Sequence, residues 1–145
     1  MRTQFLPFLT SINKMTTNPL TTAPDHHSAE PADLYMGLGS VAYALAKVDG
    51  RIQLSEMQTV KELLAALPHG DLALYAFFLR ENCNETVEEA YAFGIRRFAH
   101  NRKLLTEPTK KQFVGVLLRI AEAHDDTSRK EDELIRRFRR DLRRL

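Results

Sequence analysis

The chain has 145 residues, 43% of them hydrophobic and 28% charged, which is enough for one domain with its own core and is the profile of a globular protein. A formal charge of +2 and a single cysteine, Cys83, exclude an internal disulfide, a thiolate zinc cluster and a global basic field of the kind that drives nucleic-acid binding. No apolar run approaches the roughly 20 residues of a membrane helix, and a lone thiol fits a reducing, cytoplasmic setting.

Residues 1–32 read as a disordered leader. The opening "MRTQFLPFLTSI" carries one Arg, and Pro7 interrupts its short apolar patch, so it makes a poor secretory signal. "TTNPLTTAPDHHSAEPAD" has no apolar period. Its pair His26 and His27 lacks further ligands nearby, and Met15 is a second candidate start. The folded domain is expected over 33–145.

From Asp33 the pattern is helical. "DLYMGLGSVAYALAKV" places apolar residues at 34, 38, 41, 45 and 48, one helix face. A second helix is expected from Ser55 to Leu67, with Met57, Val60, Leu63, Leu64 and Leu67 inward and a capping box of Ser55 with Gln58. Pro68 to Gly70 breaks the chain. "DLALYAFFLREN" reads as a helix capped by Asp71 and buried on most sides. Thr86 and Glu89 cap a fourth, with Val87, Ala90, Tyr91, Ile95 and Phe98 inward. "TEPTKKQF" opens a fifth with Pro108 in its first turn, ending near His124. Ser128 and Glu131 cap the last. The fold class is therefore all-α, a compact bundle of about six helices.

The two ends of the domain match at a shift of 75 residues. Leu38 falls on Phe113, Val41 on Val116, Leu45 on Ile120 and Ala46 on Ala121. Beyond the turn, Glu56 falls on Glu131, Val60 on Ile135, Leu63 on Phe138 and Leu67 on Leu142. A shared Ala, an equal turn length and a Glu at the same offset favour a duplicated hairpin.

The two units, "ALAKVDGRIQLSEMQTVKELL" and "RIAEAHDDTSRKEDELIRRF", resemble the tellurite-resistance TerB-like family, whose hairpins carry an "A-x-x-DG-x-x-x-x-x-E" signature. The first unit supplies Ala46, Asp49, Gly50 and Glu56. The second keeps Ala121 and Glu131 but has His124 for the acid and Asp125 for the Gly. The resemblance implies a helical module of stress and tellurite-resistance proteins, one also found in a membrane-anchored co-chaperone with a J-domain. This chain has neither an "HPD" tripeptide nor a membrane helix.

"DGRIQLSE" also imitates half of a calcium loop. With Gly50 at loop position 6 and Glu56 at 12, Asp49 suits position 5, but Leu45 and Lys47 stand at positions 1 and 3, where carboxylates are needed. The stretch before Asp49 is helix as well. Two readings remain. In one, Gly50 supplies a positive φ, Ile52 packs back on the hairpin and the acids serve the helix start. In the other, which the family resemblance also implies, the two corners meet, and Asp49, Glu56, Asp125, Asp126 and Glu131 form an oxygen-rich site for a divalent cation, with His124 nearby.

The C-terminal "RRFRRDLRRL" buries Leu134, Ile135, Phe138, Leu142 and Leu145 and surrounds them with Arg136, Arg137, Arg139, Arg140, Arg143 and Arg144. These are either a solvated face whose stems cover apolar surface or a basic surface, carried by Arg136, Arg137, Arg140, Arg143 and Arg144, for anionic partners. Asp132, Glu133 and Asp141 interrupt the run and no aromatic platform for bases adjoins it, so specific nucleic-acid binding is not expected; peripheral contact with an anionic membrane stays open. No Gly-rich phosphate loop, "HExxH" or nucleophile elbow occurs. Cys83 with His69 or His100 is the one pair that could serve an enzyme. The expected role is a non-enzymatic interaction or stress-response module with protein partners; the alternative is a module that binds a divalent cation, the one cofactor considered, at its acidic corners.

Overall fold

The segment from 32 to 47 is unusually rich in small and apolar residues, and this decides its place. A helix with apolar side chains on one stripe lies on a core; a helix that is apolar all round lies inside it. In the computed structural model, which describes residues 31–123 and 127–145, this segment is α1 (Ala32–Lys47). Leu34, Leu38, Val41 and Leu45 are fully buried as the spacing requires, and so are Tyr35, Ala42, Tyr43 and Ala44 on its other sides. The remaining helices are α2 (Leu54–Ala65), α3 (Gly70–Asn82), α4 (Val87–His100), α5 (Glu107–Ala121) and α6 (Arg129–Arg144), with a short 3-10 turn at Arg102–Leu104. All five pack on α1, α4 and α3 most extensively, and α6 also packs on α5. The expected all-α bundle of six helices is what the described residues form. The expected leader lies, but for Pro31 and Ala32, outside them.

The tight packing of α1 rests on missing side chains. A Cβ on Gly39 would collide with the backbone carbonyl of Ala73 in α3, and one on Gly94 in α4 would stand 2.8 Å from the carbonyl oxygen of Gly37. Two buried polar groups on α1 find partners at these contacts, as buried donors must. Ser40 Oγ donates to the Ala90 carbonyl at 2.7 Å, and Tyr43 Oη donates to the Glu85 carbonyl at 2.7 Å. At the other end Asp33 accepts from Arg97 Nη1 at 3.3 Å and from Asn101 Nδ2 at 2.9 Å, fastening the start of α1 to the end of α4. Tyr35, Phe98, Phe113 and Phe138 continue the core toward α5 and α6 with ring centroids 5.4–5.9 Å apart. Each such ring contributes about 1.5–3 kcal/mol by burial.

Four local expectations are corrected. The box that opens α2 is not Ser55 with Gln58. Gln53 is the N-cap, and its backbone N–H donates to Glu56 Oε1 at 2.9 Å; Ile52 packs on the core just before it, and the cap falls two residues earlier than expected. Asp71 does not cap α3. The cap is His69, in the left-handed region at φ 55°, because Gly70 packs directly on the Leu64 and Ala65 carbonyls and the chain must turn before it. Nor is α3 buried on most sides: Ala73, Ala76, Phe77 and Arg80 face inward, while Tyr75 and Leu79 are exposed. The fifth helix ends at Ala121, short of His124. The boxes Thr86/Glu89 and Ser128/Glu131 form as read.

Candidate functional site

The first corner joins α1 to α2. Gly50 adopts φ 104°, a conformation that a side chain opposes. Asp49 and Gly50 are exposed, and Glu56 is 3% exposed. The second corner joins α5 to α6. There Ser128 N–H donates to Glu131 Oε1 at 2.9 Å, Glu131 N–H donates to Ser128 Oγ at 3.0 Å, and Glu131 is 1% exposed. The caps fall at Gln53 and Ser128, the helix starts at Leu54 and Arg129, and the buried glutamates at 56 and 131. Each pair differs by the 75 residues of the sequence repeat. The duplication is thus structural: both glutamates use a carboxylate oxygen to close the first turn of their helix.

The fold brings the two corners together. Burial pushes the Glu131 carboxyl above its ordinary value, the Ser128 backbone bond opposes this, and the negative charges of Glu56 and Asp49 push it further up. Charges that act on a carboxyl in this way share its neighbourhood. Asp49 also lines a pocket of about 380 Å³ with Lys47 and Lys130, so the patch is not purely anionic. Lys47 Nζ donates to Asn84 Oδ1 at 2.8 Å. Among the described residues no three acid, His or Cys side chains are placed to hold a metal ion. The described carboxylates therefore do not make a ligand set by themselves. Asp125 and Asp126, with His124, lie outside the described residues.

The arginines of α6 divide into two groups. Arg136 pairs with Asp132 at 3.0 Å, and Arg137 with Glu88 of α4 at 2.8 Å; Arg140 lies 3.9 Å from Asp141. Arg137 also stands 4.1 Å over the Tyr91 ring, and the Tyr91 hydroxyl donates to Asp141 Oδ2 at 2.6 Å. Burial, and then that bond, push the Tyr91 phenol far above its ordinary value. The bond from Arg137 holds the Glu88 carboxyl below its ordinary value and raises the Arg137 guanidinium in turn. This network staples α4 to α6. Arg143 and Arg144 have no ion-pair partner among the described residues, and neither does Arg139. Sequence spacing could not separate the two groups, since Glu88 lies 49 residues from Arg137.

Cys83 is exposed at the C-cap of α3. His69 caps the opposite end of that 13-residue helix, and His100 closes the 14-residue α4, whose start lies near Cys83. Each helix is about 20 Å long at 1.5 Å per residue, so neither imidazole reaches the thiol.

An all-α domain folded from a duplicated hairpin, with a buried capping glutamate at each of two adjoining corners, is the class these features define. A family model described as Tellurite resistance protein TerB matches residues 36–143, and the chain belongs to that family. No curated protein and no solved structure matches it. No helix among the described residues is long and apolar enough to cross a membrane.

Proposed function

We propose that this chain acts as a non-enzymatic interaction module of the tellurite-resistance, stress-response type, working by contact with protein partners in the cytoplasm. The observation that carries this is the outward face of α3. Leu72, Tyr75 and Leu79 follow helical spacing, and Tyr75 and Leu79 are 56% and 41% exposed. The same helix buries Ala73, Ala76 and Phe77 on its other side. An apolar stripe on a well-anchored helix is the form a helix-mediated contact takes. The single cysteine supports the reducing compartment. The test is affinity capture from native lysate with the whole chain and with Tyr75→Ser/Leu79→Ser. The double variant should keep its thermal midpoint and lose the partners. Capture unchanged in that variant defeats the reading, and cell fractionation checks the compartment.

A second reading, a corner that binds a divalent cation, is favoured by one observation: Glu131, pushed up first by burial, is pushed up further by the charges of Glu56 and Asp49. A cation there would relieve that repulsion. Calcium, magnesium, zinc and manganese are titrated in turn against the amide resonances of Asp49 to Glu56 and of Thr127 to Glu131. Saturable shifts that Asp49→Asn removes support it; resonances unmoved by all four ions end it.

A further inference from the structure

A groove of about 640 Å³ runs between α5 and α6. Its floor is Val114, Gly115 and Leu118 of α5 and Leu142 of α6, and its rims carry cations on both sides, with one acid, Glu107, at the start of α5. Lys110 and Lys111 stand on the α5 rim; Arg139 and Arg143, one turn apart, stand on the α6 rim. Lys110 is paired with Glu107 at 3.1 Å. Lys111, Arg139 and Arg143 have no ion-pair partner among the described residues. In contrast, Arg129, Arg136, Arg137 and Arg140, on the rest of α6, each have a carboxylate at 2.8–3.9 Å. The chain neutralises its arginines everywhere on α6 except beside this groove and at its very end. The floor is open because Gly115 carries no side chain: a Cβ there would meet nothing within 4 Å. A helix-interior Gly costs stability relative to Ala, and here it leaves the floor clear. Past Gly115 a second pocket of about 360 Å³ continues toward Leu63 of α2 and Leu67 in the turn after it.

We propose that this groove binds an acidic amphipathic helix of a partner protein. Charge complementarity selects the occupant. From Lys110 to Leu118 the groove is about 12 Å long at 1.5 Å per residue, about two turns of a docked helix. Cations flank both sides of an apolar strip, so the ligand needs apolar groups along a line and anionic groups on both flanks of it. A helix with Leu at helical spacing bordered by Glu or Asp has that form. An acyl lipid carries its charge at one end only, and nucleic acid has no apolar strip. The unpaired Arg139 and Arg143 supply the charge-assisted bonds, and Val114, Leu118 and Leu142 supply the apolar contact. The surface is separate from the α3 stripe, and its test stands or falls independently.

The test uses the full chain and a fluorescein-labelled synthetic helix with Leu along one stripe and Glu on both flanks, read by anisotropy at physiological salt. Controls are the same peptide with Gln for every Glu and a scrambled sequence. Binding should be saturable, and it should weaken about tenfold or more in Arg139→Gln/Arg143→Gln. It should weaken similarly in Gly115→Leu, which fills the floor and leaves the charges. It should stay within about twofold of the parent in Arg129→Gln/Arg136→Gln, on the same helix outside the groove. Circular dichroism and thermal midpoints confirm that each variant is folded. Equal weakening by both arginine pairs, or no effect of Gly115→Leu, reduces the binding to non-specific charge and overturns the proposal. No binding of the Glu peptide also overturns it. So does co-sedimentation with phosphatidylglycerol vesicles, or a self-association seen by ultracentrifugation, that Gly115→Leu abolishes while the peptide fails to bind.

Discussion

Glu131 shows how one side chain can hold structural and electrostatic roles together. It closes the first turn of α6 through Ser128, yet it is buried beside the charges of Glu56 and Asp49, and all three effects of burial and like charge raise its pKa. A carboxyl whose folded pKa lies above its unfolded value is protonated alike in both states well below the ordinary glutamate value, where it costs nothing. As pH rises through the ordinary value to the raised one, the unfolded carboxyl ionises while the folded one still holds its proton, and stability falls over that window. Side-chain carboxyl NMR should therefore place Glu131 above the usual glutamate range, and Asp49→Asn should bring it down. An unchanged titration in Asp49→Asn would mean that the two corners do not interact. Glycines make the same point through space. Gly39→Ala sets a Cβ into the Ala73 backbone and should cost about 3 kcal/mol in urea unfolding, the upper range of overpacking. Gly115→Ala, with open space around it, should gain about 0.5–1 kcal/mol from helix propensity alone.

Helix starts distinguish what was legible in the sequence from what was not. Thr86/Glu89 and Ser128/Glu131 are boxes with a favoured hydroxyl residue at the cap, and both form. Ser55 looked the same, but the packing of Ile52 sets α2 to start at Leu54, capped by Gln53, a residue of weaker capping preference. The repeat held the correction, because Ser128 less 75 is 53, and local propensity concealed it. At α3 the backbone contact of Gly70 with Leu64 overrode Asp71 in a way no local pattern records. The caps can be weighed directly. Ser128→Ala should cost about 1 kcal/mol, as loss of an N-cap does. Ser55→Ala, exposed inside the first turn of α2, should lie within about 0.5 kcal/mol of the parent. Equal losses in the two variants would restore Ser55 as the cap.

At the scale of the molecule, the bundle was readable because helical period and duplication both report on burial, and burial is what six helices around one core must satisfy. The sites were less readable because they depend on pairs remote in sequence. Arg137 and Glu88, or Glu131 and Asp49, meet only once α1 is enclosed, and the groove over Gly115 exists only because α5 and α6 lie side by side. The centre of this arrangement is α1, which touches all five other helices and whose residues from Gly37 to Ala46 are all buried. Its amides cannot reach water by fraying or by the departure of one neighbour, since the others still cover it. They should exchange only through global unfolding, with an opening free energy equal to that from urea denaturation. The end of α6 from Arg139 onward, with Arg139, Arg140, Arg143 and Arg144 facing solvent, should open at a clearly lower free energy. Native-state hydrogen exchange read residue by residue decides this. Amides of Leu38 to Leu45 that exchange as fast as those of Arg139 to Arg144 would show that α1 is not the element on which the rest of the fold depends.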